Sequence, residues 1–179
     1  MAVPLVIGVA GGIAAYKTAH LVSRLAQDGR QVTVVMTRAA ERFIGRDAMT
    51  ALSGRPVVRR LFDPERFPLG AHIELAREGA KLCVVPATAD FLAKAAHGLA
   101  DDLLSTLYLA MEPPVLMAPA MNAAMWNHPA VQRNVRRLEE DGVVMVPPTA
   151  GWLACRDQGT GRMAEPEDIL REIASRFPS

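Results

Sequence analysis

Residues 5–12 read LVIGVAGG, and how this stretch is understood decides the fold. Residues 5–10 are a short, continuously apolar run rich in branched side chains, as expected of a strand covered on both faces. Gly11 and Gly12 break it. Beyond them Ala14, Thr18, Leu21, Val22 and Leu25 recur on one helical face, and Gly29 supplies a stop. Strand, glycine turn, helix is the opening half of a strand–helix–strand unit. Its second strand is QVTVVMT (31–37), followed by a short helix over 39–44.

The alternation repeats along the chain. KLCVVPA (81–87), PVLMAPA (114–120) and VVMVPP (143–148) read as further strands. Between them come helical runs at 90–98 and 101–110, split at Gly98. Another opens at Pro129, with Val131, Val135 and Leu138 on one face and Gly142 at its end. A closing helix is expected from Glu167 to Arg176. Residues 45–70 are irregular, with some helix, and 151–166 form a long glycine-spaced loop. Strands alternating with helices predict a parallel sheet with right-handed crossovers. Ligands in such sheets bind beyond the carboxyl ends of the strands. Every unusual stretch follows a strand, so all are expected at one edge.

Composition narrows the function. The 179 residues fit one domain, with no internal repeat or linker, and half are apolar. A formal net charge of +1 with scattered arginines gives no footprint for nucleic acid. The two cysteines stand alone, without metal-ligand spacing or a disulfide framework, which favours a reducing compartment. No run of about 18 apolar residues suggests a membrane span, and the N-terminus reads as a strand rather than a signal peptide. A cytoplasmic protein is expected.

The candidate residues each admit two readings. Gly8, Gly11 and Gly12 are spaced for neither GxGxxG nor a P-loop. They make a tight turn or a cradle of backbone amides for an anion. Thr37, Thr88 and Asp90 stand at strand-to-helix junctions, where they can cap a helix or meet a ligand. His72 leads an amphipathic segment. His20, His97 and His128 lie in or at the ends of helices and are read as structural. Cys83 falls within a strand and reads as core, whereas Cys155 lies among glycines. A thiol of ordinary acidity is mostly protonated at neutral pH, so a loop cysteine can give a proton rather than attack. Asn122 interrupts the apolar run VLMAPAMNAAMW (115–126), and its amide needs a partner.

Five stretches in this order carry a resemblance: GGIAAYK (11–17), HIELA (72–76), PATAD (86–90), PAMNAAMW (119–126) and LACRDQGTGRMAEP (153–166). Over nearly its whole length the chain resembles the flavin-containing cysteine decarboxylases, and within them most nearly those acting on 4′-phosphopantothenoylcysteine in coenzyme A biosynthesis. The resemblance implies a Rossmann-like, flavodoxin-like three-layer sandwich: one flavoprotein domain over residues 1–179 with a mobile substrate flap at about 150–166. It implies that FMN is held by Gly11, Gly12 and Ile13, by Thr37, Arg38 and Ala39, by Thr88, Ala89, Asp90 and Phe91, and by Ala120. Asn122 is expected to bind the substrate carboxylate. His72 is expected to be the active-site histidine, and Cys155 the proton donor on the flap. Met125, Trp152, Ala154 and Met163 are expected to contact substrate.

The implied chemistry is coherent. A carboxylate loses CO₂ slowly when the carbanion has nowhere to put its electrons. A flavin that oxidises the neighbouring thiol to a thioaldehyde creates the sink. The family also implies a homotrimer or dodecamer with sites at subunit interfaces, so that His72 and Asn122 can come from different subunits. A phosphopantothenate–cysteine ligase, separate or fused, is a further expected partner. One departure stands out: Arg156 follows the flap cysteine, where the family usually has glycine. Its side chain reaches either the substrate phosphate or solvent. The rival readings are a peptidyl-cysteine decarboxylase of lantibiotic maturation and a non-catalytic regulatory flavoprotein. Flavin prenyltransferase and a generic dinucleotide oxidoreductase fit the motifs less well.

Overall fold

The computed structural model describes residues 3–77 and 80–178. Five parallel strands form the central sheet: β1 (Leu5–Val9), β2 (Val32–Met36), β3 (Lys81–Ala87), β4 (Leu116–Pro119) and β5 (Val144–Met145). Their spatial order is β2-β1-β3-β4-β5, so the chain reverses direction across the sheet between β1 and β3. In this flavodoxin-like order the ligand crevice lies at that reversal, outside the carboxyl ends of the strands.

Period-two alternation sends successive side chains to opposite faces. Leu5, Ile7, Val9, Val32, Val34, Cys83 and Val85 pack against α1 (Ala15–Gln27), α2 (Arg46–Ser53) and α8 (Pro166–Arg176). Val6, Val35, Leu82, Val84 and Met117 pack against the other helical layer. That layer comprises α3 (Ala71–Arg77), α4 (Ala89–Ala96), α5 (Leu103–Ala110) and α7 (Pro129–Glu140). Gly8 has a packing reason: a Cβ there would stand 2.5 Å from Leu104 Cδ1 of α5. Thr18 is buried in α1, and its hydroxyl donates to the Val85 carbonyl at 2.7 Å, tying helix to sheet.

Several boundaries differ from the sequence reading. The helix expected over 39–44 is a 3-10 turn, Ala40–Arg42. The last strand of the sheet shrinks to two residues because the chain leaves the edge before Pro147-Pro148. A one-turn helix, α6 (Ala123–Asn127), follows Asn122. The main correction concerns 151–166, expected as loop. Most of it is an antiparallel hairpin, β6 (Thr149–Trp152) with β7 (Gln158–Arg162). Its strands are TAGW and QGTGR, whose glycines and polar residues hide any apolar alternation. Among the described residues, no helix is long and apolar enough to cross a membrane.

Candidate active site

The loops leaving β1 to β4 converge at the carboxyl edge of the sheet. With the β6–β7 hairpin they enclose a cavity of about 860 Å³, within the range of small-molecule and cofactor sites. Its floor is set by how closely these loops approach. A Cβ on Gly11 would stand 2.4 Å from Ala39 Cβ, so glycine there lets the β1 and β2 loops touch. The Ala10 N–H donates to Pro86 O at 3.2 Å, and the Ala120 N–H to Ala87 O at 3.0 Å. These bonds knit adjacent loops into one rim.

The polar side chains on this floor cap helices and face the cavity together. Thr88 Oγ1 accepts from the Phe91 N–H at 3.3 Å at the start of α4. Thr37 Oγ1 accepts from the Ala40 N–H at 3.2 Å. A hydroxyl that accepts a cap bond keeps its own proton to donate. Asn122 settles the question of its amide. Its Oδ1 accepts from the Met125 N–H at 2.8 Å, opening α6. That bond fixes which end of the amide is which and leaves two Nδ2–H donors, the complement of a carboxylate. By contrast, no side chain caps α1. The N-terminal end of that helix, with its partial positive charge, borders the cavity beside Gly11–Ala14.

Lys94 and Asp90 also line the cavity. Lys94 Nζ lies 3.0 Å from Asp101 and 3.3 Å from Asp90. Burial works against its charge, but the hydrogen bonds and the negative charges of these two carboxylates together raise its pKa. The Lys94 hydrogen bond in turn lowers that of Asp101. Arg38 stands exposed at the rim.

The hairpin forms the roof. Its tip is closed by the Arg156 N–H donating to Leu153 O at 2.9 Å and the Leu153 N–H donating to Asp157 O at 2.8 Å. This is the pattern of a three-residue loop ending in a left-handed residue. That residue is Arg156, at φ 63° the one non-glycine with positive φ among the described residues. The cation thus occupies the backbone position for which glycine is suited. Cys155, beside it, is exposed and lines the cavity. Cys83 is sealed in β3, where burial drives its thiol far above the ordinary range.

The glycines of β7 explain the roof's seat. A Cβ on Gly161 would lie 2.3 Å from Met121 O, and one on Gly159 2.6 Å from Ala123 Cβ. The Met121 N–H donates to Gly161 O at 2.9 Å. Strand β7 therefore rests directly on the backbone that carries Asn122.

One cavity is lined by Gly11, Gly12 and Ile13, by Thr37, Arg38 and Ala39, and by Thr88, Ala89, Asp90 and Phe91. The same cavity is lined by Ala120, Asn122 and Met125, and by Trp152, Ala154, Cys155 and Met163. His72 is not among its lining residues. It sits in the first turn of α3, half-buried, and its Nδ1 is buried with no hydrogen-bond partner among the described residues. His97 ends α4, and His128 caps α7 by accepting from the Ala130 N–H at 3.2 Å. Sequence reasoning missed Tyr16, Lys17, Lys94, Asp102, Gly161 and Arg162 as lining residues. The only signal for Lys17 was its place at the end of GGIAAYK.

The sequence matches the Flavoprotein family over residues 2–178. It is 41% identical over 173 residues to the coenzyme A biosynthesis bifunctional protein CoaBC of Haemophilus influenzae, covering 97% of this chain and 43% of that protein. Against CoaBC of Escherichia coli strain K12 the identity is 43% over 173 residues, with the same shares of each chain. The chain thus spans less than half the length of these curated relatives. Among solved structures, a cysteine-to-serine mutant of PPC decarboxylase complexed with pantothenoylaminoethenethiol superposes with a TM-score of 0.90. It is 29% identical and covers 100% of both chains. SpaF, an FMN-dependent cysteine decarboxylase, superposes at 0.85 and is 35% identical, covering 99% of this chain and 98% of its own. With its strand order, its glycine-floored cavity and this match over nearly every residue, the chain belongs to the Flavoprotein family.

Proposed function

We propose that this chain carries out the FMN-dependent decarboxylation of 4′-phosphopantothenoyl-L-cysteine to 4′-phosphopantetheine, a step of coenzyme A biosynthesis in the cytoplasm. The observation that carries the reading is one cavity lined by both Asn122 and Cys155. Asn122 offers free amide donors from the floor, and Cys155 is the accessible thiol on the roof.

The residues present fit FMN. The uncapped end of α1 beside Gly11 and Gly12 suits a phosphate. Thr37 and Thr88 keep hydroxyl protons to donate, and Ile13, Ala39, Ala89, Phe91 and Ala120 supply apolar surface for a flat ring. When bound, FMN supplies a two-electron acceptor for the substrate thiol and later returns the pair.

The chain's own residues do the rest. Asn122 donates both amide hydrogens to the substrate carboxylate and holds it until CO₂ leaves. Cys155 gives its proton to the carbon that becomes the saturated product. The hairpin acts as the mobile flap, with Trp152, Ala154 and Met163 against the substrate, and excludes water during turnover. His72 acts as base or orienter for the oxidative half, in a neighbouring subunit's cavity within a homotrimer or a larger assembly of trimers. Its orphaned Nδ1 and the exposed Phe62 and Leu69 on the preceding segment are consistent with a face that another copy covers. A phosphopantothenate–cysteine ligase, separate or fused, is the accompanying activity of this reading; the CoaBC relatives are bifunctional and more than twice as long as this chain.

The solved relative fits a reaction in which a cysteine acts after CO₂ has left. Its ligand, pantothenoylaminoethenethiol, is by its chemistry an enethiol without a carboxylate, held in a protein whose cysteine had become serine. That is the species expected when CO₂ has left and the final proton has not arrived. A peptide substrate is the second reading, supported by the likeness to SpaF. Identities of 41–46% with CoaBC relatives against 35% with SpaF favour the small molecule.

The test is to load the protein with FMN, add 4′-phosphopantothenoylcysteine and follow CO₂ and product mass. Expected is a product lighter by one CO₂ and otherwise saturated. A mixture of His72→Asn and Asn122→Ala subunits should regain activity that neither variant has alone. No activity in the mixture would place His72 outside the shared site.

A further inference from the structure

Two of the motifs that carry the resemblance contain charged residues to which no role has been given: Lys17 in GGIAAYK and Glu165 in GRMAEP. The fold brings them together from opposite ends of the chain. Lys17 Nζ lies 3.0 Å from each carboxylate oxygen of Glu165 and donates to the Met163 carbonyl at 3.2 Å. Its ammonium has three protons and no acceptor capacity, so these partners use them fully. Lys17 is only 6% exposed. Arg162 reaches the same carboxylate at 2.8 Å.

The lysine of this pair is buried and its glutamate is half-exposed, so desolvation and solvent screening leave little net stability; fixing one conformation is the better-attested use of such a pair. What this pair fixes is the point where the roof joins the wall. Met163 is 1% exposed and lines the cavity directly after β7 ends. Strand β7 is held at two places, at Gly159 against Ala123 and at Gly161 on Met121, and the residue that follows it, Met163, is held by Lys17. Among the described residues strand β6 shows no such seat: its Thr149, Ala150 and Trp152 are exposed, and only the flanking Pro148 and Leu153 are buried. The backbone and ion-pair ties of the hairpin therefore gather at β7.

We propose that Lys17 and Glu165 form a latch that makes β7 the fixed axis of the flap, so that β6 and the Cys155 tip swing about it. Lys17 is then a positioning residue. It acts through Met163 and the hairpin rather than on the reacting atoms. The mechanical claim stands on the contacts above, and its catalytic meaning rests on the decarboxylase reading.

The experiment measures amide hydrogen exchange, without ligand, on the wild type, Lys17→Met, Glu165→Gln and the double variant. Expected is exchange about tenfold faster across 149–152 and 158–162, with β1 and β3 unchanged. The double variant should be no worse than the worse single one, because both break one contact. Acceleration spread evenly over the sheet, or none in the hairpin, would overturn the latch. If Lys17→Met fails to fold, Glu165→Gln carries the same test. A flavin titration separates the two claims. Glu165→Gln should bind FMN within about threefold of the wild type, since Glu165 does not line the cavity. Loss of FMN binding in Glu165→Gln alone would overturn the latch and make the pair part of the cofactor site. A wild type that takes up no FMN would overturn the decarboxylase reading, while the exchange pattern still judges the latch.

Discussion

The floor and the roof of the cavity are built by different physics. The floor stands on a five-stranded sheet whose buried side chains fill both core layers, each large one worth about 1.5–3 kcal/mol. Its functional side chains are immobilised because they also cap helices: Thr37, Thr88 and Asn122 accept backbone bonds before they can meet a ligand. The roof is a two-stranded hairpin outside the sheet, and a hairpin alone is marginal in water. It stays in place through two glycine contacts, one backbone bond and one ion pair. On the proposed reading, a site divided in this way would hold its cofactor on the sheet-borne part and carry its proton donor on the hairpin.

That division can be broken at chosen points. The largest effect is expected at the roof's thiol. Cys155→Ser should still release CO₂, while formation of the saturated product falls by roughly 10²–10⁴-fold, the usual worth of a positioned acid. Quantifying CO₂ and product separately checks this, and normal amounts of 4′-phosphopantetheine would remove the role. Next comes the floor. Gly11→Ala puts a Cβ 2.4 Å from Ala39 Cβ and 2.8 Å from the Ala39 carbonyl carbon. Forcing these loops apart should cost about 1–3 kcal/mol of stability and weaken FMN binding by about tenfold or more.

The matching change in the roof, Gly159→Ala, drives a Cβ to 2.6 Å from Ala123 Cβ. It should leave FMN affinity within about threefold but raise KM by about tenfold. Equal loss of flavin in both variants would erase the distinction between floor and roof. The smallest effect is at the tip. Arg156→Gly relieves a left-handed backbone worth roughly 1–2 kcal/mol, against roughly 0.5–1 for glycine's freedom in the unfolded chain. A net stabilisation of about 0.5 kcal/mol, seen as a slightly higher Tm, is expected.

The floor was legible in the sequence because its strands are short runs rich in branched apolar residues, most of them ended by glycine or proline. Both the cap and the ligand reading of Thr88 were visible, but for Asn122 only the ligand reading was; the structure adds its cap, which leaves the amide donors free. The roof was not legible as a hairpin. Gly159 and Gly161 are there for close backbone approach, so β7 lacks the alternating side chains by which a strand is recognised. Lys17 went unnoticed because one lysine in an amphipathic helix looks solvated. Only folding shows its partner, 148 residues away, beside the cavity. His72 was picked out by its motif, yet a single chain leaves it outside the cavity.

The most direct test is to record the visible spectrum of the purified protein with added FMN and then supply 4′-phosphopantothenoylcysteine. The account predicts a yellow complex that converts the substrate to 4′-phosphopantetheine with one CO₂ per turnover. A protein that remains colourless and inert with FMN would contradict it.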